Sequence, residues 1–117
     1  GDSEIGREIV KGLEKFNAGE NLNIFNANLD INKREAIVTK DKKGDPSSFK
    51  STIEVNLDLI NQTNARVIKR KFIEEITYDS IENKFELNQY KKKLEKNMVF
   101  KIVQDIGIFF SVIQNDM

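Results

Sequence analysis

The 117-residue chain contains no cysteine, no histidine and no tryptophan. Without thiols or imidazoles it lacks the usual ligands of zinc and the usual nucleophile and base of hydrolytic sites. It also lacks the one side chain whose ordinary pKa lies near neutrality. No apolar run approaches the roughly 18–20 residues of a membrane-spanning helix, because Lys101, Gln104 and Asp105 interrupt the most hydrophobic stretch. Net charge is missing too: 19 Lys and Arg balance 19 Asp and Glu, so no overall field draws the chain to nucleic acid or an anionic surface. There is no phosphate-cradling glycine loop, since Lys43-Gly44-Asp45 lacks both the spacing and a following helix. No signal sequence is visible, and the abrupt start at Gly1-Asp2-Ser3 is compatible with removal of an upstream targeting segment.

What the chain does have is one clear alternation. Phe49, Ser51, Ile53, Val55, Leu57 and Leu59 alternate with Lys50, Thr52, Glu54, Asn56 and Asp58, which predicts a strand with one covered and one wet face. A strand of this kind needs lateral partners and a cover for its apolar face. At this length the expectation is one domain, 1–117, able to bury a core without metal or disulfide.

The cover is predicted at both ends of the chain. Asp2 or Ser3 can cap a helix in which Ile5, Ile9, Val10, Leu13 and Phe16 recur at three and four, ending at Asn17-Ala18-Gly19. Gly6 and Gly12 cost it about 1 kcal/mol each in propensity, so it depends on packing, and they permit close approach to the sheet. After a connection from Asp79 to about Leu87, Tyr90, Leu94, Met98, Ile102, Ile106, Phe109 and Ile113 form the stripe of a long second helix. That helix should outrun the sheet, so that its Lys-rich first turns project beyond the core.

Between the helices four strands are expected. Leu22 to Ile31 and Glu35 to Lys40 read as two, joined by a turn at Asn32-Lys33, with a Gly/Pro/Asp loop from Asp41 to Ser47 after them. The alternating strand follows, then a hairpin loop Asn61-Gln62-Thr63-Asn64 in which Asn64 can take the left-handed conformation, then a strand from Ala65 to about Tyr78. Setting Ile60 against Ala65 places Lys71 opposite Glu54 and Lys50 opposite Glu75 on the wet face. It also puts Arg66, Arg70 and Glu74 on the covered side, which requires either a bulge or an edge strand carrying inward charges. The fold class is therefore α+β: a two-layer sandwich, α-β-β-β-β-α, with both helices on one face of a mainly antiparallel four-stranded sheet.

No carboxylate pair suits acid–base catalysis, since Glu74 and Glu75 face opposite sides and Asp41 and Asp45 flank a turn. Three basic clusters remain: Lys40, Lys42 and Lys43; Arg66, Lys69, Arg70 and Lys71; and Lys91, Lys92 and Lys93. They read either as solvated surface or as sites for a polyanion met by ammonium groups and Arg forks. Aromatics do not interleave them, which argues against single-stranded nucleic acid.

From Glu35 onward the residues resemble the lipopolysaccharide-assembly lipoprotein (LptE) family. The shared features are a hairpin ending in Thr39-Lys40-Asp41, the strand Thr52 to Leu59, Thr63-Asn64 where the family tends to have Thr-Gly, Val67-Ile68, the step Thr77-Tyr78-Asp79, and a last helix with an Ile-x-x-x-Ile stripe. The resemblance implies a non-enzymatic outer-membrane lipoprotein that faces the periplasm, plugs an LptD-like β-barrel translocon and helps deliver lipopolysaccharide, without cofactor, metal or nucleic-acid partner. It implies membrane attachment only through a lipid anchor outside this chain. Candidate lipopolysaccharide contacts are Lys40, Lys42, Lys43, Lys69 and Arg70. Two departures stand against the pattern: the lipid-bearing Cys and the strand expected before the first helix are not in the sequence, and Lys91 to Lys93 replace small and acidic residues. The alternatives are a small periplasmic protein-interaction module without a lipid ligand and, third, a small hydrolase or transferase.

Overall fold

A computed structural model describes residues 2–13 and 25–115. The order is α1 (Asp2–Leu13), β1 (Phe25–Lys40), β2 (Pro46–Asn61), β3 (Val67–Asp79) and α2 (Lys84–Asn115), an α-β-β-β-α arrangement among the described residues. The strands form an antiparallel meander in the order β1-β2-β3. The expected continuation of the first helix to Phe16, its ending at Asn17 to Gly19, and the strand residues Leu22 to Ile24 lie outside the described residues.

The sheet has three strands where four were expected, because the two predicted strands on either side of Asn32-Lys33 are one. β1 runs unbroken for 16 residues, with Asn32 opposite Glu54 and Lys33 opposite Ile53. Lys33 and Glu35 break the apolar alternation on the covered face, which is why the segment resembled a turn. They tolerate that face because α2 supplies them with partners: Lys33 bonds Glu95 at 3.3 Å, and Glu35 bonds Lys91 at 3.3 Å. The irregularities of β1 are two register shifts next to the hairpin, between Ile37 and Thr39 and between Thr39 and Lys40.

Strand β2 is paired on both sides, and its inward residues Ile53, Val55, Leu57 and Leu59 are at most 2% exposed. Above them pack Ile5 and Ile9 of α1 and Met98, Ile102, Ile106, Phe109 and Ile113 of α2, with Leu29, Ile31, Ile68, Phe72 and Ile76 closing the flanks. The predicted buried stripe is thus observed from Met98 onward, whereas Tyr90 at its start is exposed. The two glycines of α1 have different neighbours. A Cβ on Gly6 would lie 3.2 Å from Ile31 of the sheet, but one on Gly12 would lie 2.9 Å from Val103 of α2, so only the first serves approach to the sheet.

The β2–β3 hairpin pairs Ile60 with Val67, two residues further along than the Ala65 expected. Its loop is Gln62 to Ala65, closed by the Asn61 N–H bonded to the Arg66 carbonyl at 2.8 Å. The left-handed residue is Ala65, at φ 61°, and not Asn64. Asn64 is occupied otherwise, its side chain accepting the Arg66 N–H at 3.0 Å, while the Asn61 side chain accepts the Thr63 N–H at 2.8 Å. A shift of two keeps each side chain on its expected face, so the charge pairs survive as diagonals: Lys71–Glu54 at 3.6 Å and Lys50–Glu75 at 3.2 Å. Pairing between β2 and β3 continues from Ile60 to Ser48 without a bulge. Arg70 therefore stays on the helix side, its guanidinium 4.7 Å from the centroid of the Phe109 ring, as an inward charge on an edge strand.

Helix α2 starts at Lys84, earlier than the spacing suggested, because Asn83 caps it: its side chain accepts the Glu86 N–H at 3.1 Å. Nor does the helix outrun the sheet. Its 32 residues span about 48 Å at a helical rise, and 16-residue strands span about 53 Å. The molecule measures 60 × 22 × 22 Å.

Two outcomes follow from this packing. Val55→Asp places a carboxylate among apolar neighbours with no partner and should cost more than about 4 kcal/mol, read as loss of the cooperative urea transition at neutral pH; a variant that melts like the parent contradicts the core. Ala65→Gly removes the left-handed penalty of a residue bearing Cβ and should raise stability by about 1 kcal/mol, whereas Asn64→Gly should bring no gain because Asn64 closes the loop.

Candidate functional site

The described residues hold no group of three or more His, Cys, Asp or Glu placed to bind a metal. None of their helices is long and apolar enough to cross a membrane. What the fold presents instead is broad polar surface in three places.

The first is the outer face of the sheet, which no described element covers. Glu54 sits at its middle on the central strand and ties both edges to it, 3.9 Å from Arg34 of β1 and 3.6 Å from Lys71 of β3. The second is the β1–β2 hairpin, where Lys40, Lys42 and Lys43 are exposed. Its backbone is fixed locally: Gly44 takes φ 91°, and the Asp41 carboxylate accepts the N–H groups of Lys43 and Asp45, each at 2.9 Å. Asp41 is thereby held by the turn, and none of the three lysines forms an ion pair among the described residues. The third is a depression between α1 and α2, in which Lys92, Lys93 and Lys96 alternate with Glu4, Glu8 and Glu95.

The five candidate contacts do not converge on one place. Lys40 pairs in register with Pro46 and Lys69 with Asp58, a separation along β2 of roughly 40 Å at a strand's rise. Lys69 and Arg70 are also on opposite faces, Lys69 outward and Arg70 against Phe109. Acidic groups dilute the second cluster, since Asp30 and Asp58 share a shallow depression with Lys69, Arg70 and Lys71. The hairpin lysines are the basic group left most available to an anion.

Sequence reasoning missed a polar strap that joins the sheet to the first turns of α2. The Tyr78 hydroxyl donates to Glu35, which also accepts from Lys91, while Tyr78 stacks on Phe49 with centroids 5.4 Å apart and meets Tyr90 edge-on at 6.2 Å. Burial alone would raise the Glu35 pKa, but the Tyr78 hydrogen bond and the charges of Lys91 and Lys33 outweigh it and hold the carboxyl below its ordinary 4.5. Burial, then the Glu35 carboxylate, push the Tyr78 hydroxyl up, so it remains a donor. Reading the alternation of Phe25 to Ile31 onward through Lys33 and Glu35 sets both on the covered face, but their partners lie 43 residues or more away in the chain.

No protein-family model matches the chain, and no curated protein sequence matches it. Solved structures do. Rare lipoprotein B from Shewanella oneidensis superposes with a TM-score of 0.75 at 11% identity, covering 97% of this chain and 89% of the other. The chain shares that protein's fold. A provisionally assigned lipoprotein from Caulobacter crescentus CB15 superposes with a TM-score of 0.66 at 13% identity, over 96% of this chain and 81% of the other. At such identities the likeness concerns architecture: two helices laid along one face of an antiparallel sheet.

The strap supplies a pH test. A carboxyl whose folded pKa is depressed adds stability above its unfolded value and loses it as pH falls through the folded one. Replacing Glu35 with Gln should therefore lower stability at neutral pH, and the gap to the parent should close as pH drops below 4.5. Urea unfolding across that range measures it; a gap independent of pH contradicts the ionic role of Glu35. Tyr78→Phe should cost about 1–2 kcal/mol at neutral pH by leaving Glu35 one donor short.

Proposed function

We propose that the chain is a non-enzymatic lipoprotein-type subunit that plugs an outer-membrane β-barrel translocon from its periplasmic face and assists lipopolysaccharide assembly. The observation that carries this reading is the match of nearly the whole chain to the fold of rare lipoprotein B. The residue-level resemblance to the lipopolysaccharide-assembly family from Glu35 onward points the same way. A three-stranded outer face that no described element covers, polar along β2 from Lys50 to Asp58, suits the polar interior of a large barrel. At the hairpin end, Lys40, Lys42 and Lys43 stand on a turn fixed by Asp41, where ammonium groups can meet the phosphates of the lipopolysaccharide sugar core.

Because the candidate cations lie in two places, they are separable. Lys40, Lys42 and Lys43 changed together to Gln should weaken retention of lipopolysaccharide more than Lys69 and Arg70 changed together to Gln, since Lys69 has Asp58 opposite it on the outer face and Arg70 is held against Phe109 on the helix side. Pull-down of lipopolysaccharide and of the barrel by parent and both variants, at low and high salt, tests this, and retention should fall as salt screens the contacts. If the parent holds neither ligand at low salt, the assembly reading fails. If it holds a protein partner but no lipopolysaccharide, the second reading, a periplasmic interaction module, replaces it; the acids interleaved around Lys69 to Lys71 favour that reading.

A further inference from the structure

The outer edge of β3 is unpaired among the described residues, and the side chains it carries toward the helix layer follow a symmetric order. From Ile68 to Ile76 these are Ile68, Arg70, Phe72, Glu74 and Ile76: an apolar residue, a cation, an aromatic, an anion and an apolar residue. We propose that this edge pairs antiparallel with the same edge of a second copy of the chain, about a two-fold axis at Phe72. The two sheets would then join into one of six strands, with all helices on one face.

Antiparallel pairing about an axis at Phe72 matches each residue with one equally far on the other side. Ile68 meets the partner's Ile76, Arg70 meets the partner's Glu74, and Phe72 meets the partner's Phe72. On the outer face Lys69 meets the partner's Glu75. Opposite charges and like apolar groups directly across a ladder are the stabilising cross-strand pairs. Moving the axis breaks the match. At Arg70 or Glu74 a charge opposes its own copy, at Lys71 the lysine does, and at Ile73 Phe72 falls against a carboxylate while Arg70 falls against Ile76. Inward charges on an edge strand ordinarily deter pairing, but they do so by meeting apolar groups or like charges, and here one register satisfies them.

The state of these side chains within one copy agrees. Lys71 and Glu75 are already bonded to Glu54 and Lys50 of β2, whereas Glu74 and Lys69 form no ion pair among the described residues. Arg70 rests on the Phe109 ring, which also meets Phe72 edge-on at 6.0 Å, so the cation is held at the edge beside the proposed axis. On α2, Ile108 and Val112 neighbour Phe109 around the helix and are 64% and 50% exposed. They lie on the flank of the helix that follows the β3 side, where the partner's α2 would approach.

The test uses sedimentation equilibrium of the full chain, with folding of every variant checked by circular dichroism. The parent should associate to a dimer as its concentration rises into the millimolar range, as suits an edge-only interface. Arg70→Glu sets the introduced carboxylate against that of Glu74 on the facing strand, twice over by symmetry, and should be monomeric; Glu74→Arg, which leaves the contact between Arg70 and Phe109 untouched, should be monomeric as well. Mixed in equal amounts, the two variants should form a dimer with one copy of each, because every cation then faces an anion. A parent that stays monomeric overturns the proposal, as do variants that dimerise alone or a mixture that fails to associate. A monomeric parent would leave the inward charges as edge protection, with the edge free for a strand of another protein.

Discussion

Everything in this fold is arranged around the need of β2 to have both edges bonded and its apolar face dry. Its backbone is satisfied by β1 on one side and β3 on the other, and its inward side chains Ile53, Val55, Leu57 and Leu59 are sealed by two helices that cross from opposite ends of the chain. Burying each such side chain contributes about 1.5–3 kcal/mol, which is why a first helix interrupted by Gly6 and Gly12 can still be held. Those glycines, costly alone, let α1 settle between Ile31 and Val103. The polar strap of Glu35, Tyr78 and Lys91 has a different part. As one partly exposed ion pair and one hydrogen bond it adds modestly to stability, and it fixes where along the strands the first turns of α2 sit.

The central strand and both helices were readable because their apolar residues recur at the period of the element that holds them. What was not readable came from contacts between elements. Lys33 and Glu35 look like a break in a strand until Glu95 and Lys91, some 60 residues on in the chain, supply opposite charges, and no local pattern announces that. The hairpin register erred by two because Ala65 adopts a conformation that sequence rules reserve for Gly and Asn. Asn64, the expected occupant, spends its side chain on the Arg66 N–H instead. The parity of β3 was right despite the shift, so its wet and covered faces and both diagonal salt bridges were legible.

The candidate site was less legible than the fold. Proximity in sequence grouped Lys69 with Arg70, yet alternation sends them to opposite faces. Strand length then separates both from Lys40, Lys42 and Lys43, because hairpin strands of 16 residues put the two turns at opposite ends. Charge counted along the chain also hid the acids that pairing brings in, such as Asp58 beside Lys69. Only the lysines of the β1–β2 turn kept the environment that composition suggested.

The 60 × 22 × 22 Å form has a mechanical consequence. Strand β2 runs from one hairpin to the other, so tension applied along the long axis between the two turns is carried by its covalent backbone, which the ladder hydrogen bonds to β1 and β3 hold extended. A helix of 32 residues fastened along the same direction stiffens the assembly against bending. A displacement imposed on the lysine-bearing turn is therefore carried to the far turn as movement of a rigid strut, and a partner grasping one end would orient whatever is held at the other.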